Sequence, residues 1–139
     1  MQHDKVFCII RKRYVALTPE EGVRQNIINY LIMQKKYPQS LISVEGEIKV
    51  NNLKKRYDIL VHSRELKPFM LIECKAPSIK ITQETLDQIS IYSLSIDASY
   101  FLLTNGEQNF CLKKDIEKRI FTIEAEIPQY PFPKNKTKT

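Results

Sequence analysis

An uninterrupted apolar run, Phe69-Met70-Leu71-Ile72, most constrains what this chain can fold into. Its length suits a β-strand, and an apolar residue at every position suits a strand that is buried on both faces. Glu73 and Lys75 follow the run before Pro77 ends the strand pattern. The chain therefore predicts a central strand over residues 69–75, with other layers packed on both of its faces.

Two more strands are predicted upstream of this run. Residues 41–50 alternate between apolar and polar side chains, which is typical of a half-buried strand. Asn51-Asn52 indicates a turn, and residues 57–61 predict a second strand that forms a hairpin with the first. The side chains predicted to share the apolar face of the first strand are Ile42, Val44, Ile48 and Val50.

Helix signals flank these strands. Thr18 can cap a helix that starts at Pro19, with Glu21 completing a capping box, and Tyr37-Pro38 ends the helical pattern. A second helix is predicted over residues 83–95.

The remaining pattern predicts a strand over 100–104, a type I′ hairpin at Asn105-Gly106 and a return strand over 110–112. Residues 113–119 are highly charged and predict a short surface helix. The resulting order is that of an α/β fold, a central mixed β-sheet flanked by helices with an αβββαβ core. We expect one domain over residues 1–127 and a Pro- and Lys-rich C-terminal tail over 128–139.

Composition narrows the classes of function. The net charge of +6 favours a polyanionic partner such as DNA, although many basic proteins bind none. With three glycines the chain lacks a phosphate-binding glycine loop. The widely spaced cysteines Cys8, Cys74 and Cys111 predict reduced, buried thiols in a cytoplasmic protein. No apolar segment reaches the length of a membrane span, so we expect no membrane partner.

Two carboxylates and a lysine form the candidate catalytic group. Glu73 and Lys75 share one face of the third strand, and pairing with the second strand would bring Asp58 close to Glu73. Two carboxylates, together with the backbone carbonyl of Cys74, suit Mg²⁺ or Mn²⁺. Such a cation can activate water for phosphodiester hydrolysis, while Lys75 orients the water or stabilises the transition state. The alternative interpretation is a surface ion pair between Glu73 and Lys75 that contributes little.

These segments resemble the N-terminal nuclease domain of type I restriction enzyme R subunits, in the PD-(D/E)XK superfamily. The resemblance is carried by the strings R-Y-D-I-L-V at 56–61 and I-E-C-K-A-P at 72–77, and by Gln88 with Tyr92. It spans residues 17–112, including Thr18-Pro19-Glu20-Glu21 and Leu103-Thr104-Asn105-Gly106.

The resemblance implies a restriction-endonuclease-like fold and Mg²⁺-dependent cleavage of DNA. It implies that Asp58 and Glu73 bind the metal, that Lys75 is catalytic, and that Gln88 and Tyr92 line the site. R subunits carry helicase motors, so we expect any helicase or other protein partner to act in trans. A homodimer stays open, because nucleases of this fold often pair to cut two strands.

Further residues are secondary candidates. Glu21 and Glu45 could add carboxylates to the centre, although capping explains Glu21 and solvent exposure explains Glu45. Arg24 could meet a phosphate or a carboxylate, and Arg56 could orient Asp58 or contact DNA. Lys54 and Lys55 could bind the DNA backbone, or form an ordinary charged hairpin end.

The sequence leaves more than one function open. The first hypothesis is a metal-dependent DNA endonuclease-like phosphodiesterase. The second is a non-catalytic nucleic-acid-binding module or accessory subunit that keeps the nuclease fold. The third is an interaction domain in which the carboxylates and Lys75 pair only with each other. RNA and branched DNA stay open as substrates.

Overall fold

A computed structural model describes residues 4–50, 52–115 and 117–132, with the backbone alone for Val50 and Tyr92. The helices in these ranges are α1 (Pro19–Asn29) and α2 (Gln83–Ser93), and a π-helical turn (Tyr30–Gln34) and a 3-10 turn (Gln39–Leu41) follow α1. The strands are β1 (Lys5–Cys8), β2 (Arg13–Ala16), β3 (Ile42–Val50), β4 (Leu53–His62), β5 (Pro68–Cys74), β6 (Tyr100–Thr104), β7 (Asn109–Asp115) and β8 (Ile120–Glu124). Neither helix of the described ranges is long and apolar enough to cross a membrane.

The main sheet is mixed, as the sequence predicts. Its six strands follow the order β3-β4-β5-β6-β7-β8, and β1 pairs with β2 in a separate hairpin. All neighbours in the main sheet are antiparallel except β5 and β6, which are parallel and are joined through α2. A parallel pair needs a long crossover, and α2 provides it. The predicted α/β class is therefore confirmed.

Strand β5 is buried on both faces, as its apolar run predicts. Met70 and Ile72 pack into the larger hydrophobic cluster, which also contains Ile28 of α1. Leu71 points the other way, into a second cluster that includes Ile89 of α2 at its edge. The sheet thus has one helical layer on each face. On one of these faces, α1 is in contact with β5.

The predicted alternation of β3 is wrong beyond its midpoint. Ile42 and Val44 pack on the α1 side of the sheet, whereas Ile48 packs with Tyr57 on the opposite side. The cause is Glu45, whose φ of 52° is a left-handed conformation that interrupts a strand. The side-chain period of two is lost there, so Ile48 changes face. The predicted orientation of Val50 lies outside the described side chains.

The same interruption reaches β4. Val44 pairs with Ile59 and Gly46 pairs with Tyr57, while Glu45 and Asp58 lie between these pairs without a pairing of their own. The Tyr57 side chain crosses over Gly46, where a Cβ would collide with the tyrosine hydroxyl. Glycine is therefore required at position 46, because the Tyr57 side chain occupies the space that a Cβ would need.

Two predictions for the C-terminal half are wrong. The β6–β7 connection is a four-residue loop closed by Thr104 and Asn109, and not a two-residue type I′ turn. The Asn105 side chain accepts hydrogen bonds from the backbone of Glu107 and Gln108, which favours the wider loop. The predicted surface helix over 113–119 is also absent among the described residues, because β7 runs to Asp115 and pairs with β8.

Residues 128–132 pack against the sheet domain, although the sequence pattern assigns them to a tail. Tyr130 is buried, and its hydroxyl donates to the carbonyl of His62 at 2.7 Å. The Tyr37 hydroxyl donates to the carbonyl of Pro128 at 2.6 Å, and the ring of Tyr130 lies against Phe69. The rest of the predicted tail, 133–139, lies outside the described residues.

Candidate active site

Strands β4 and β5 bring Asp58 and Glu73 together. Their antiparallel register pairs Ile59 with Ile72, so the next step along both strands sets Asp58 opposite Glu73. The Cys74 backbone N–H donates to Asp58 Oδ2 at 2.7 Å. The sequence-based prediction that the second and third strands pair is confirmed, and the two carboxylates are neighbours on adjacent strands.

Asp58 is held by a second donor from α1. Arg24 Nη2 lies 3.2 Å from Asp58 Oδ1, while the Cys74 N–H engages the other oxygen. The Asp58 side chain is 19% exposed and Arg24 is 6% exposed, so this contact is largely shielded from solvent. Donors on both carboxylate oxygens fix the orientation of Asp58.

The pKa of Glu73 is raised well above its ordinary value. Burial, and then the nearby charge of Asp58, raise the pKa of Glu73 to about 7. The positive charge of Lys75 opposes this shift and lowers the pKa, but it is the weaker effect. Two carboxylates that share a partly buried site cannot both ionise easily near neutral pH, and this is a pattern typical of functional centres.

Lys75 lies one residue beyond the end of β5. Its backbone N–H donates to the carbonyl of Thr104 at 2.8 Å, which fixes this residue against the end of β6. No direct ion pair joins the Lys75 ammonium to a carboxylate within the described ranges. The ammonium therefore influences Glu73 through space and stays available for another anionic group.

Behind the carboxylate pair lies a network of ion pairs. Arg24 Nη1 contacts Glu21 at 2.5 Å and Glu45 at 3.3 Å, in addition to its bond with Asp58. Arg11, from the connection between β1 and β2, contacts the same two glutamates, at 2.5 Å for Glu21 and 3.4 Å for Glu45. Two guanidinium groups thus neutralise Glu21 and Glu45, and one of them also reaches Asp58.

Residues 19–128 match the family described as the type I restriction enzyme R protein N terminus (HSDR_N). The chain belongs to this family. No curated protein matches it. A fragment of an HsdR subunit of a type I restriction enzyme from Vibrio vulnificus YJ016 aligns with a TM-score of 0.49 and 16% identity, over 81% of this chain and 24% of that one.

Within this HSDR_N domain, two predicted carboxylate candidates serve the ion-pair network. Thr18 accepts a hydrogen bond from the Glu21 backbone N–H, as predicted for the helix cap. The reciprocal half of the capping box does not form between the described residues, since the Thr18 N–H bonds to the carbonyl of Ala16. The Glu21 carboxylate is instead bound by Arg11, Arg24 and Gln25. Glu45 does not lie on a plain solvated face either, because its carboxylate contacts both arginines.

Other predicted residues of the family domain lie apart from the carboxylate pair. Arg56 is exposed and pairs across the hairpin with Glu47, and it makes no contact with Asp58 in the described part of the chain. Arg24 takes the orienting role that was considered for Arg56. Lys54 is exposed and Lys55 is half-buried on the same hairpin, and their contact with a DNA backbone stays a prediction.

The predicted Gln88 and Tyr92 elements lie on α2. Gln88 is exposed, and it stands five residues after the start of the helix. The side chain of Tyr92 lies outside the described residues, so its predicted role stays a prediction. Exposure of Gln88 leaves its amide accessible to a ligand that approaches from the α2 side.

Arg11 is the site-network residue that sequence reasoning missed. In the sequence it is part of Arg11-Lys12-Arg13, which has the composition of a solvated charge run. No periodicity indicates that one member turns inward, because its partners Glu21 and Glu45 lie 10 and 34 residues further along the chain. Its proximity to the buried Cys8, whose sulfur accepts from Arg11 Nε at 3.3 Å, was the local sign.

The donor set of this domain fits a hard divalent cation. Asp58 and Glu73 offer carboxylate oxygens from adjacent strands, and a cation would offset the burial and the repulsion by Asp58 that together raise the Glu73 pKa. Across the described ranges no cluster of three or more His, Cys, Asp or Glu side chains is arranged to bind a metal. A cation bound here would therefore depend on main-chain oxygen, such as the Cys74 carbonyl, and on water.

Proposed function

We propose that this domain is a metal-dependent nuclease that hydrolyses phosphodiester bonds of DNA. The observation that carries the proposal is that Asp58 of β4 and Glu73 of β5 lie opposite each other on adjacent strands, where burial and the charge of Asp58 raise the Glu73 pKa to about 7. The domain spans 24% of the HsdR fragment chain, so the activity of a complete R subunit is part of the proposal.

In this proposal, Asp58 and Glu73 bind Mg²⁺ or Mn²⁺ with the help of the Cys74 carbonyl. The cation, when bound, polarises a water and offsets negative charge on the phosphate. Asp58 is positioned for this task by Arg24 and by the Cys74 N–H. The role of Arg24 is to orient a carboxylate and to neutralise Glu21 and Glu45 behind it.

Lys75 acts on the water or on the phosphate. Its charge reaches Glu73 without a direct ion pair between described groups, which leaves the ammonium free to bind an anionic oxygen.

Gln88, exposed on α2, positions the substrate, and Lys54 and Lys55 contact its backbone. The net charge of +6 favours such a polyanion. Membership of the R-protein family supports DNA as the substrate and other restriction-system subunits as partners, a helicase among them.

The test is cleavage of plasmid and single-stranded DNA in Mg²⁺ and in Mn²⁺ by wild type and by Lys75→Ala. We expect cutting that requires the metal and is lost in Lys75→Ala. Lys118→Ala is the matched control, because Lys118 is an exposed lysine in the turn between β7 and β8. Cutting by Lys75→Ala at the wild-type rate would reject this active centre.

A second function is supported by one feature of Asp58. Both of its oxygens already accept hydrogen bonds from the protein. In a non-catalytic DNA-binding module, Asp58 would keep these two bonds and would bind no metal. Folded wild-type protein that binds DNA tightly but cuts none in any divalent metal would favour this module. Cation binding that depends on Asp58 would favour the nuclease.

A further inference from the structure

The hairpin of β1 and β2 presents two aromatic side chains to solvent. Phe7 and Tyr14 are opposite each other in the hairpin register, and they are 48% and 66% exposed. Their ring centroids are 5.2 Å apart at an interplanar angle of 68°. In this edge-to-face arrangement each ring keeps a face that the other does not cover, so a third planar group has room to stack.

The other face of the hairpin is anchored in the core. Cys8 is fully buried, and Ile9, Ile10 and Val15 pack against the same hydrophobic cluster. The Gln39 side chain donates to the Ile9 carbonyl at 3.2 Å. The hairpin is therefore docked in one orientation, and the aromatic pair faces outward because the strand alternation places it opposite the anchored side.

Positive charge surrounds the aromatic pair. Lys5 lies two residues before Phe7 on β1 and so shares its face, while Lys12 is exposed at the hairpin turn. Within the described segment 4–16, Asp4 is the only acidic residue. Aromatic rings with flanking cations match the combination by which proteins bind single-stranded nucleic acid, bases on rings and phosphates on cations.

The hairpin is also connected to the carboxylate pair. Arg11, between β1 and β2, binds Glu21 and Glu45, and both glutamates bind Arg24, which in turn binds Asp58. The hairpin precedes residue 19, where the family match begins, so it is a feature of this chain outside the matched range.

We propose that the β1–β2 hairpin is a stacking platform for unpaired DNA bases. Phe7 and Tyr14 stack on successive bases, and Lys5 and Lys12 contact the phosphates. Paired bases hide their faces in the duplex, so the platform selects single-stranded or frayed DNA. This inference rests on the proposed function, which gives DNA as the substrate. It adds that the domain binds the single-stranded form of DNA.

The absence of tryptophan from the chain allows a direct test. Phe7→Trp introduces a single tryptophan at the platform, and oligo(dT) is titrated in EDTA so that cutting cannot occur. We expect quenching of the tryptophan fluorescence, and the same from Tyr14→Trp. Phe132→Trp is the matched control, because Phe132 is also 48% exposed and lies beside a cation, with Arg64 5.3 Å from its ring centroid. It should not be quenched.

Affinity gives a second readout. The double variant Phe7→Leu with Tyr14→Leu should bind oligo(dT) about tenfold more weakly or worse, with duplex binding unchanged. Lys12→Ala should reduce the slope of log affinity against log salt by roughly 0.7 for the lost phosphate contact. Circular dichroism and the melting temperature check that these surface variants are folded.

Three results would overturn the platform: an unquenched tryptophan at positions 7 and 14, unchanged affinity in the double leucine variant, or equal quenching by duplex DNA. These readouts are separate from cleavage. If the tryptophans at positions 7 and 14 are quenched but the protein never cuts DNA, the nuclease proposal is rejected and the platform is kept. Normal cutting by a double leucine variant with unchanged affinity would reject the platform alone.

Discussion

Arg24 and Asp58 are joined by a contact of 3.2 Å between Nη2 and Oδ1, which links the first helix to β4. The same guanidinium also contacts Glu20, Glu21 and Glu45. Within the described ranges its Nε is buried without a hydrogen-bond partner. One buried arginine thus neutralises the acidic residues behind the site and orients a carboxylate inside it.

Replacing Arg24 by methionine should destabilise the domain and abolish its proposed activity. The change leaves Asp58 without its cationic partner and Glu21 with Arg11 alone, and loss of one partner from such a network typically costs about 3 kcal/mol or more. Urea denaturation measures the loss. Arg24→Lys should recover part of the stability but little of the cleavage, because an ammonium cannot reach several carboxylates in the way that a guanidinium can.

The matched control for Arg24 is Arg56→Met, on an exposed arginine of β4. We expect its unfolding free energy to stay within about 0.5 kcal/mol of wild type. An Arg24→Met protein as stable as Arg56→Met would contradict the structural importance of the network.

The raised pKa of Glu73 predicts a specific dependence of stability on pH. Between the ordinary pKa of 4.5 and the folded-state pKa of about 7, the folded protein binds more protons at Glu73 than the unfolded chain does. The contribution of Glu73 to stability is therefore fully present below pH 4.5 and is lost as the pH rises toward 7, by up to about 3 kcal/mol. Unfolding free energies at pH 5, 6, 7 and 8 measure it.

Glu73→Gln removes this titration. The variant should be more stable than wild type at pH 8 and inactive in cleavage, and the difference between the two proteins should shrink toward pH 5. Glu47→Gln, on the exposed edge strand β3, is the control and should follow the wild-type profile. A wild-type minus Glu73→Gln difference that does not change with pH would refute the raised pKa.

Divalent cation should stabilise the wild type at pH 8 in the absence of DNA. A ligand that binds only the folded state at 100 times its Kd adds about 2.7 kcal/mol. We expect Mn²⁺ and Mg²⁺ to raise the Tm of the wild type, and Asp58→Asn to remove that increase. This measurement needs no catalysis, so it tests the carboxylate pair as a cation site even if the isolated domain does not cut.

Tyr130 tests whether residues 128–132 belong to the domain. Its ring lies against Tyr37 and Phe69, with centroid distances of 5.3 Å and 5.8 Å, and the residue is 4% exposed. Tyr130→Ala should cost about 3 kcal/mol or more in unfolding free energy, through the cavity it leaves. Tyr130→Phe loses only the hydrogen bond to the His62 carbonyl and should cost about 1 kcal/mol.

A chain truncated after residue 127 should be destabilised like Tyr130→Ala, whereas a chain truncated after residue 132 should keep the Tyr130 contacts. Equal stability of the 127-residue chain and the full chain, measured by denaturation under the same conditions, would place the domain boundary before Pro128.

The sequence by itself determined the elements that depend on local pattern. The apolar run 69–72 predicts a doubly buried strand, Thr18 and Pro19 predict the start of α1, and both are confirmed. The register of neighbouring strands then makes Asp58 and Glu73 adjacent. The strand and the helix start are local features, because the side-chain period of a strand and the capping of a helix depend on residues a few positions apart.

Tertiary structure alone decided how the residues around the site are used. Glu45 adopts a positive φ, which interrupts β3 opposite Asp58, and Arg11 reaches Glu21 and Glu45 from a separate hairpin. Tyr130 packs against Tyr37, more than ninety positions away, and neither residue carries a periodic signal of that contact. Such contacts join segments that are distant in sequence, so their partners are selected by packing and charge neutralisation in the folded chain, and not by local propensity.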